Sequence, residues 1–425
     1  MYLSQLGIDI STTIDPYVNY YDKWNNRHNL RGRWFAISKQ RGERPSIGNI
    51  LSGEYQFHRH FKGEWNLTAG LVTQHFSAFS QLFDDNAPTT EEDRSRFSGS
   101  SFAGYAQLEK KFFDKLNITV GARWEGFLID SVFTPMQYPL PRVGANYKIT
   151  NKDYLRASFG SGFRFPSLAE RFVNEPIPVQ EITLSTFPNP EIRPKKGWST
   201  ELAYRRTFRT DKFKVYGDVA LFWMEYKDMV EFVLSYLNQQ LGFRSINVSR
   251  ARIAGWEFSA QAEGNIGKTP LRIWGGYTYS FPGYLDEDST QQNIGIYLGN
   301  MFNTFLNGVQ GDSSSILRYI SLHNLRFDIE TEWKRITIGF SANYNSFIHK
   351  IDYVFTLGLV ANGLNEFRAI HNKGSLILDW RLGYRFNKKQ HLNFIVNNLL
   401  NTEYATRPAR MGAPRTFSIK YTHVF

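Results

Sequence analysis

The carboxyl-terminal stretch APRTFSIKYTHVF, residues 413–425, indicates the fold of the whole chain. Side chains alternate across a β-strand, so every second residue shares a face. One face of this stretch carries Phe417, Ile419, Tyr421, His423 and Phe425. The other face is mostly polar. Such a strand suits a place between lipid and a water-filled lumen, and it predicts a transmembrane β-barrel.

The same alternation recurs in many segments of the chain. It is clearest in residues 198–205, 271–279, 325–333, 335–344 and 375–386. A period of two over such lengths indicates strands rather than helices. A soluble β-sandwich would need an apolar inner face on every strand, whereas 325–333 carries four charged residues on one face. The prediction is therefore an all-β, antiparallel barrel in the bacterial outer membrane.

Composition excludes several classes of protein. The chain has 425 residues, and its longest clean apolar stretch is Val219–Met224, far shorter than a transmembrane helix. It has no cysteine, which excludes disulfides and thiolate metal sites. The net charge of +11 comes from basic residues scattered singly along the chain, so we predict no nucleic-acid binding. Scattered charge fits a polar lumen and a rim that faces anionic lipid headgroups.

Short turns alternate with long loops, as in outer-membrane barrels. The predicted long loops are 81–97, 164–194, 229–247, 283–314, 350–371 and 401–412. Counting gives about 17 strands, the first near 9–21 and the last at 413–425. Single-chain barrels normally have an even number, so we expect residues 1–425 to be the carboxyl-terminal part of a larger barrel.

Four stretches carry a resemblance to a known family. They are GSGFRFPSLAERF (160–172), NPEIRPKKGWSTELAYR (189–205), INVSRARIAGWEFSAQ (246–261) and FIVNNLLNTEYATRPARMGAPRTFSIKYTHVF (394–425). In this order they resemble the barrel signatures of TonB-dependent outer-membrane receptors. The stretch that begins DPYVNYYDKW is similar to receptors of Bacteroidetes-type bacteria. The resemblance implies a barrel of roughly 22 strands, a plug domain, and uptake of a scarce ligand such as a ferric siderophore or vitamin B12.

The resemblance also implies partners. These are the TonB complex, outer-membrane lipid and lipopolysaccharide, and the barrel assembly machinery, which would read Phe417, Ile419, Tyr421 and Phe425. We expect the sequence to depart from the family in lacking a plug, a TonB box and about five strands before the barrel. The TonB contact is therefore expected through a missing amino-terminal plug. We predict no cofactor.

Loop residues are the predicted ligand contacts, because aromatic rings with isolated basic groups suit a bulky anionic ligand. The candidates are Arg252, Tyr284, Phe302, Phe305, Arg318, His349 and Phe367. Ordinary loop packing or lipopolysaccharide contact would suit the same residues. The predicted lumen-facing or plug-facing residues are Glu201, Arg205, Asp379, Arg381 and Arg385. Within the first motif, Arg164 and Glu170 are expected to pair.

Other kinds of site find little support. His58 and His60 share a strand face but lack a third ligand, so we predict no metal site. No catalytic constellation stands out, and we predict that the chain is not an enzyme. Two alternatives to a transporting receptor stay open: an incomplete barrel remnant without transport activity, and a passive pore or surface-binding protein.

Overall fold

The computed structural model describes residues 8–41, 44–83, 96–129, 132–136, 138–179, 182–248, 250–285, 292–309, 316–356, 362–407 and 410–424. Strands dominate, as the alternation predicts. These residues contain four α-helices: α1 (Leu168–Phe172), α2 (Ile294–Asn307), α3 (Tyr353–Thr356) and α4 (Leu364–Ile370). None of the helices in the described part of the chain has the length and apolarity needed to cross a membrane.

The strands of the described residues are β1 (Ile8–Ile14), β2 (Tyr17–Tyr21), β3 (Arg27–Arg41), β4 (Arg44–Phe61), β5 (Trp65–Ser80), β6 (Arg96–Phe112), β7 (Leu116–Ile129), β8 (Val132–Pro135), β9 (Leu140–Lys148), β10 (Asp153–Arg164), β11 (Ile177–Val179), β12 (Ile182–Phe187), β13 (Lys195–Arg209), β14 (Phe213–Lys227), β15 (Met229–Leu237), β16 (Gln240–Val248), β17 (Ala251–Ile266), β18 (Thr269–Tyr284), β19 (His323–Trp333), β20 (Ile336–Asn345), β21 (Ser375–Arg385), β22 (Gln390–Asn397), β23 (Ala405–Arg407), β24 (Arg410–Met411) and β25 (Thr416–His423).

Nineteen of these strands belong to one large sheet, whose ladders are antiparallel. β1 and β2 pair with the two halves of β3, because Asp15 and Pro16 interrupt one long strand. β8 and β9 likewise both pair with β7. With each of these pairs taken as one strand, the described residues contribute seventeen strands to the sheet. The predicted count of about 17 is confirmed.

The chain divides into two compact units. The first, residues 1–146, 158–198 and 226–248, contains the long hairpins β3–β7. It also contains a small core in which Phe83, Ile129, Leu168 and Phe172 are buried. The second unit, residues 147–157, 199–225 and 249–425, contains β17–β22, β25 and helices α2–α4. Its buried core includes Tyr279, Phe281 and Tyr297.

Each strand of the second unit has an apolar and a polar face. On the apolar face, one row of paired residues crosses six strands: Ile273, Ile329, Phe340, Trp380, Val396 and Phe417. The polar face carries the alternate positions, including Arg326, Asp328, Glu330 and Arg381. Phe417, Ile419 and Tyr421 are all more than half exposed, as expected of side chains that meet lipid. Phe425 lies outside the described residues.

The two ends of the second unit differ. At one end, called the turn end, short turns such as Lys334–Arg335 join neighbouring strands, and Lys334 has a φ of +59°. At the other end, called the loop end, the chain between β18 and β19, or between β20 and β21, is long. This difference follows the predicted alternation of turns and loops.

The predicted loops contain more structure than the sequence suggested. Residues 229–247 form the hairpin β15–β16 instead of an irregular loop. β12, from the loop 164–194, pairs with β16 in parallel, so these two loops build one four-stranded sheet within the first unit. Helices α2, α3 and α4 occupy the loops 283–314 and 350–371, and β23–β24 occupies 401–412. Of 81–97, residues 84–95 lie outside the described part.

Candidate functional site

A cleft of about 450 Å³ opens at the loop end of β19, β20 and β21, on the polar face. Its floor includes Asn324, Asn345 and Ser375 at the strand ends. The loops above supply four aromatic rings, two arginines, one histidine and one carboxylate: Tyr319, Phe347, Phe367, Tyr404, Arg368, Arg407, His371 and Glu403. Clefts of this size with a few convergent polar groups are typical of small-ligand sites.

Helix α4 positions Arg368 in the wall of the cleft. The helix begins after Gly363, whose φ of +76° is a conformation that glycine adopts without strain. Arg368 Nη2 donates to the carbonyl of Ile348 at 2.9 Å, and the guanidinium lies 4.4 Å from the centre of the Phe347 ring. Burial lowers the pKa of Arg368, but a guanidinium stays charged at neutral pH. The cleft therefore holds a fixed positive charge against an aromatic ring.

His371 follows α4 and faces Glu403. Its ring stacks on Phe367 with centres 4.2 Å apart, and its Nδ1 lies 3.0 Å from the carbonyl oxygen of Phe367. Nδ1 therefore donates, which leaves Nε2 on the side of Glu403, 3.9 Å from Oε2. This arrangement fixes the orientation of the imidazole at the edge of the cleft.

Tyr319, which also lines the cleft, is fixed by the segment before β21. Its hydroxyl donates to the Asp352 carboxylate, and its backbone N–H donates to the carbonyl of Lys350 at 2.9 Å. Arg318 Nη1 lies 2.9 Å from Asp352 Oδ1. Burial and the hydrogen bond to Asp352 raise the pKa of Tyr319, so the phenol stays protonated. These contacts make the wall a rigid, charged network.

The structure brings together only part of the predicted ligand set. Phe367 lines the cleft, and Arg318 and His349 belong to the segments that hold its walls. Burial, followed by the charges of Arg368 and His323, lowers the pKa of His349. Lys350 Nζ lies 4.8 Å from the centre of the Tyr284 ring. Arg252, Phe302 and Phe305 lie elsewhere, on the apolar face beside α2.

Sequence reasoning missed most of the cleft. Arg368, His371, Glu403, Tyr404 and Arg407 were not singled out. A usable signal exists for the first two, because positions three apart share one side of a helix. The sequence predicts a loop over 350–371, and helical spacing carries no information in a loop. Nothing in the sequence connects Glu403 to His371.

The predicted polar-face residues all have protein partners. Arg381 pairs with Asp328 at 2.7 Å, Arg205 with Asp218 at 2.8 Å, and Glu201 with Arg156 at 2.9 Å. Arg385 pairs with Glu332, and Asp379 accepts a hydrogen bond from the backbone of Asn398 at 2.8 Å. These residues lie on the polar face of the sheet, and their contact with a lumen or a plug stays a prediction.

The motif at 160–172 forms a local clamp. Arg164 and Glu170 make a two-pronged ion pair, at 2.8 and 2.7 Å, as predicted. Ser167 caps α1 and exchanges hydrogen bonds with Glu170, which forms a capping box. The clamp ends β10 and starts the loop, so its visible role is structural.

Metal coordination has no visible basis in the described residues, which contain no group of three or more His, Cys, Asp or Glu side chains placed for it. His58 Nδ1 forms a hydrogen bond with Thr68 Oγ1 at 3.1 Å, and His60 Nδ1 forms one with Asn66 Oδ1 at 2.8 Å.

Comparison with known proteins decides the family. The profile described as "TonB dependent receptor-like, beta-barrel" matches residues 3–399. The chain belongs to this family. Receptors of this family lie in the outer membrane and work with TonB, so the outer membrane is the location of the chain. A search of curated proteins found no significant match.

Solved receptor structures share the fold. The siderophore receptor PirA from Acinetobacter baumannii has a TM-score of 0.67 at 12% identity, over 99% of this chain and 63% of that one. The ferric-catecholate import receptor Fiu from K12 E. coli has a TM-score of 0.66 at 15% identity, over 98% and 64%. The copper transporter OprC has a TM-score of 0.67 at 12% identity, over 98% and 67%. The chain thus spans less than two thirds of PirA and Fiu.

Proposed function

We propose that this chain forms the barrel of a receptor for active uptake of a scarce, bulky, anionic ligand, with a ferric siderophore as the best candidate. The cleft lined by Tyr319, Phe367, Arg368 and Arg407 is the observation that carries the proposal. It lies at the loop end, where ligands arriving from outside would meet the receptor. The proposal extends to the TonB complex, a plug domain, lipopolysaccharide and the barrel assembly machinery as partners.

The charge of the cleft favours an anion. The lining contains two arginines, Arg368 and Arg407, and one carboxylate, Glu403. Aromatic walls suit the flat rings of catecholate ligands, because rings stack on rings and on guanidinium planes. A ligand without net charge, such as cyanocobalamin, would gain less from the arginines than a trianion does. PirA and Fiu, which share the fold, are described as receptors for siderophores and ferric catecholates.

Binding to the purified full chain tests the ligand class. The probe is ferric tris-catecholate, a trianion, and cyanocobalamin serves as a neutral comparison. We expect Arg368→Gln and Arg407→Gln each to weaken binding of the trianion about tenfold, as loss of one charge-assisted contact does. Arg272→Gln is the matched control, because Arg272 is an exposed polar-face arginine at the turn end. Equal affinities in all four proteins would contradict the proposed site.

Uptake in cells tests active transport. We expect accumulation of radioactive iron from the trianion to require TonB, and to stop when TonB is deleted. A passive pore would continue to admit small solutes without TonB. An inert remnant would admit neither small solutes nor iron. Retained iron uptake in the deletion strain would therefore overturn the transport proposal without affecting the binding result.

A further inference from the structure

Helix α2 packs on the apolar face of β17 and β18. Phe305 contacts Trp256 and Tyr279, with ring centres 4.7 and 5.0 Å apart, and Phe302 stacks on Trp256 at 5.9 Å. Trp256 and Tyr279 are paired residues of the two strands, in line with the apolar row of the sheet. The helix is therefore on the side of the sheet that meets lipid, opposite the cleft.

The position of α2 along β18 places it at the edge of the membrane. The apolar face of β18 runs from Leu271 near the turn end to Phe281. At about 3.3 Å per residue and a tilt of about 40°, this segment rises about 25 Å, which is the height of the apolar band of outer-membrane barrels. The helix packs against Tyr279 and Phe281. It therefore lies at the outer boundary of the hydrocarbon, not far above it.

The surface of α2 is divided into three strips. Tyr297, Met301 and Thr304 are buried against the sheet. Ile294, Phe302 and Leu306 form an apolar strip, and all three are more than half exposed, Leu306 to 74%. A third strip carries Asn300, Asn303 and Asn307. The helix has no charged residue among its fourteen, so its exposed side is apolar along one strip and neutral polar along the other.

An ion pair lies beneath the helix. Arg252 Nη2 is 2.7 Å from Glu225 Oε1, and the Arg252 side chain is only 5% exposed. The guanidinium lies 4.8 Å from the Trp223 ring centre and 5.0 Å from that of Tyr297. Charge on the lipid-facing side of a strand is costly near hydrocarbon. Tyr297 and Trp223 cover the pair, so α2 replaces a charged patch with an apolar surface.

Tyr297 also ties the helix to the strands. Its hydroxyl accepts a hydrogen bond from the backbone N–H of Ala254 at 3.1 Å and donates to the carbonyl of Phe281. These two residues face each other across the β17–β18 ladder. The contact fixes the helix on the sheet, with its apolar strip turned outward.

We propose that α2 is an interfacial helix of the outer leaflet, with Ile294, Phe302 and Leu306 among the acyl chains and Asn303 toward water. The occupant of the apolar strip is lipid, because the strip continues the lipid-facing surface of the sheet. An uncharged amphipathic helix of this kind binds the headgroup–acyl boundary through its apolar area. This inference depends on the membrane location and not on the identity of the ligand.

Spin labels on α2 test the proposal. The chain has no cysteine, so Leu306→Cys and Asn303→Cys each give one labelling site without background. Both positions are exposed, so neither label disturbs the packed side. In vesicles of phosphatidylethanolamine and phosphatidylglycerol, we expect the label at 306 to collide mainly with oxygen, which concentrates in lipid. The label at 303 should collide mainly with a water-soluble nickel chelate, with a severalfold difference between the two positions.

Two results would overturn the proposal. Equal, high nickel accessibility at both positions would place α2 in water. Exclusion of both reagents at 306 would show that protein, such as a second copy of the chain, covers the strip. A Tyr236→Cys label on the exposed part of β15 provides the fully aqueous reference. Labelled proteins that keep the fluorescence spectrum of the unlabelled chain establish that the fold is intact.

Discussion

Arg252 illustrates how burial decides the role of a charged residue. Its sequence context, a loop-end arginine among aromatic residues, suggested a ligand contact. In the structure its side chain is enclosed by Trp223, Tyr297 and Glu225. A guanidinium this enclosed stabilises its carboxylate partner and is inaccessible to a bulky ligand. We therefore leave Arg252 out of the proposed ligand site.

Replacing Arg252 should cost stability and spare ligand binding. Arg252→Met leaves Glu225 with the longer contact to Arg250, at 3.7 Å, and a hydrogen bond from Trp223 Nε1, at 3.3 Å. We expect the free energy of unfolding to fall by about 3 kcal/mol, as when one partner of a buried pair is removed. Urea titration of the refolded chain measures this value. The double variant Arg252→Met, Glu225→Leu should recover most of the loss, because no carboxylate remains unpaired.

The exposed neighbour Arg250 provides the control. Its side chain is 52% exposed, so Arg250→Met should cost less than about 1 kcal/mol, as for surface pairs. Equal losses for Arg250→Met and Arg252→Met would show that burial of the pair does not matter. In that case the inference that α2 covers the Arg252–Glu225 pair would lose its support.

At the scale of elements, the capping box of α1 makes a pH-dependent prediction. Burial would raise the pKa of Glu170, but hydrogen bonds from Arg164 and Ser167 outweigh it, and the net pKa is lowered. A lowered carboxyl pKa contributes stability that is present at neutral pH and is lost as the pH falls through the folded-state value. We expect α1 to open progressively as the pH falls below the ordinary range of a glutamate carboxyl.

Hydrogen exchange of the α1 amides measures this opening. Glu170→Gln removes the charge, and it should speed exchange at neutral pH about fivefold, which corresponds to about 1 kcal/mol for a half-exposed ion pair. The variant should also lose the pH dependence of the wild type. Unchanged exchange in Glu170→Gln would show that the clamp does not hold the loop.

The hydroxyl of Tyr297 makes a second prediction at this scale. Tyr297→Phe keeps the ring over Arg252 but removes the partner of the Ala254 N–H. We expect the thermal midpoint to fall by about 1–3 °C, because an unpaired buried N–H costs about 1–3 kcal/mol and the unfolding entropy of a chain this long is large. Tyr236→Phe is the matched control, since Tyr236 is 72% exposed. A shift of the same size in both variants would show that the hydroxyl does not anchor α2.

Elements differed in how well the sequence predicted them. The long strands were predictable, because each has one face in lipid and the period of two is uninterrupted. The hairpin β15–β16 was not predicted. Its turn is formed by Asn238 and Gln239, whose φ of +51° and +61° are those of a tight hairpin turn. Helix α2 was not predicted, because it lies within the long loop 283–314 and its pattern has the period of a helix rather than the period of two that indicates strands.

For the whole molecule, the sequence predicts which face of the sheet each side chain occupies, but not which residues of neighbouring strands are paired. Alternation assigns each residue to a face, and this assignment holds across β19–β22 and β25. The register between strands depends on turn geometry and pairing, which one sequence does not reveal. The cleft depends on that register, because its lining comes from segments as far apart as Ser280 and Arg407. This is why most of the predicted ligand residues do not line one site.

The terminal strand β25 makes the last prediction, which concerns assembly of the whole barrel. Phe417, Ile419 and Tyr421 pair with Val396, Phe394 and Leu392 of β22 and lie exposed on the apolar face. If the assembly machinery reads this row, Phe417→Ala with Tyr421→Ala should lower the amount of receptor in the outer membrane severalfold. Ser418→Ala with Lys420→Ala, on the polar face of the same strand, is the control.

Membrane yield and unfolding stability together distinguish two roles of the apolar row of β25, which are recognition by the assembly machinery and contact with lipid. Each truncated aromatic ring also loses lipid contact, worth about 2 kcal/mol per large side chain. That loss would lower the unfolding midpoint of the refolded protein, whereas an assembly defect would lower the yield even when refolding in detergent succeeds. If the polar-face control and the aromatic variant reach the membrane in equal amounts, the apolar row of β25 serves only to contact lipid.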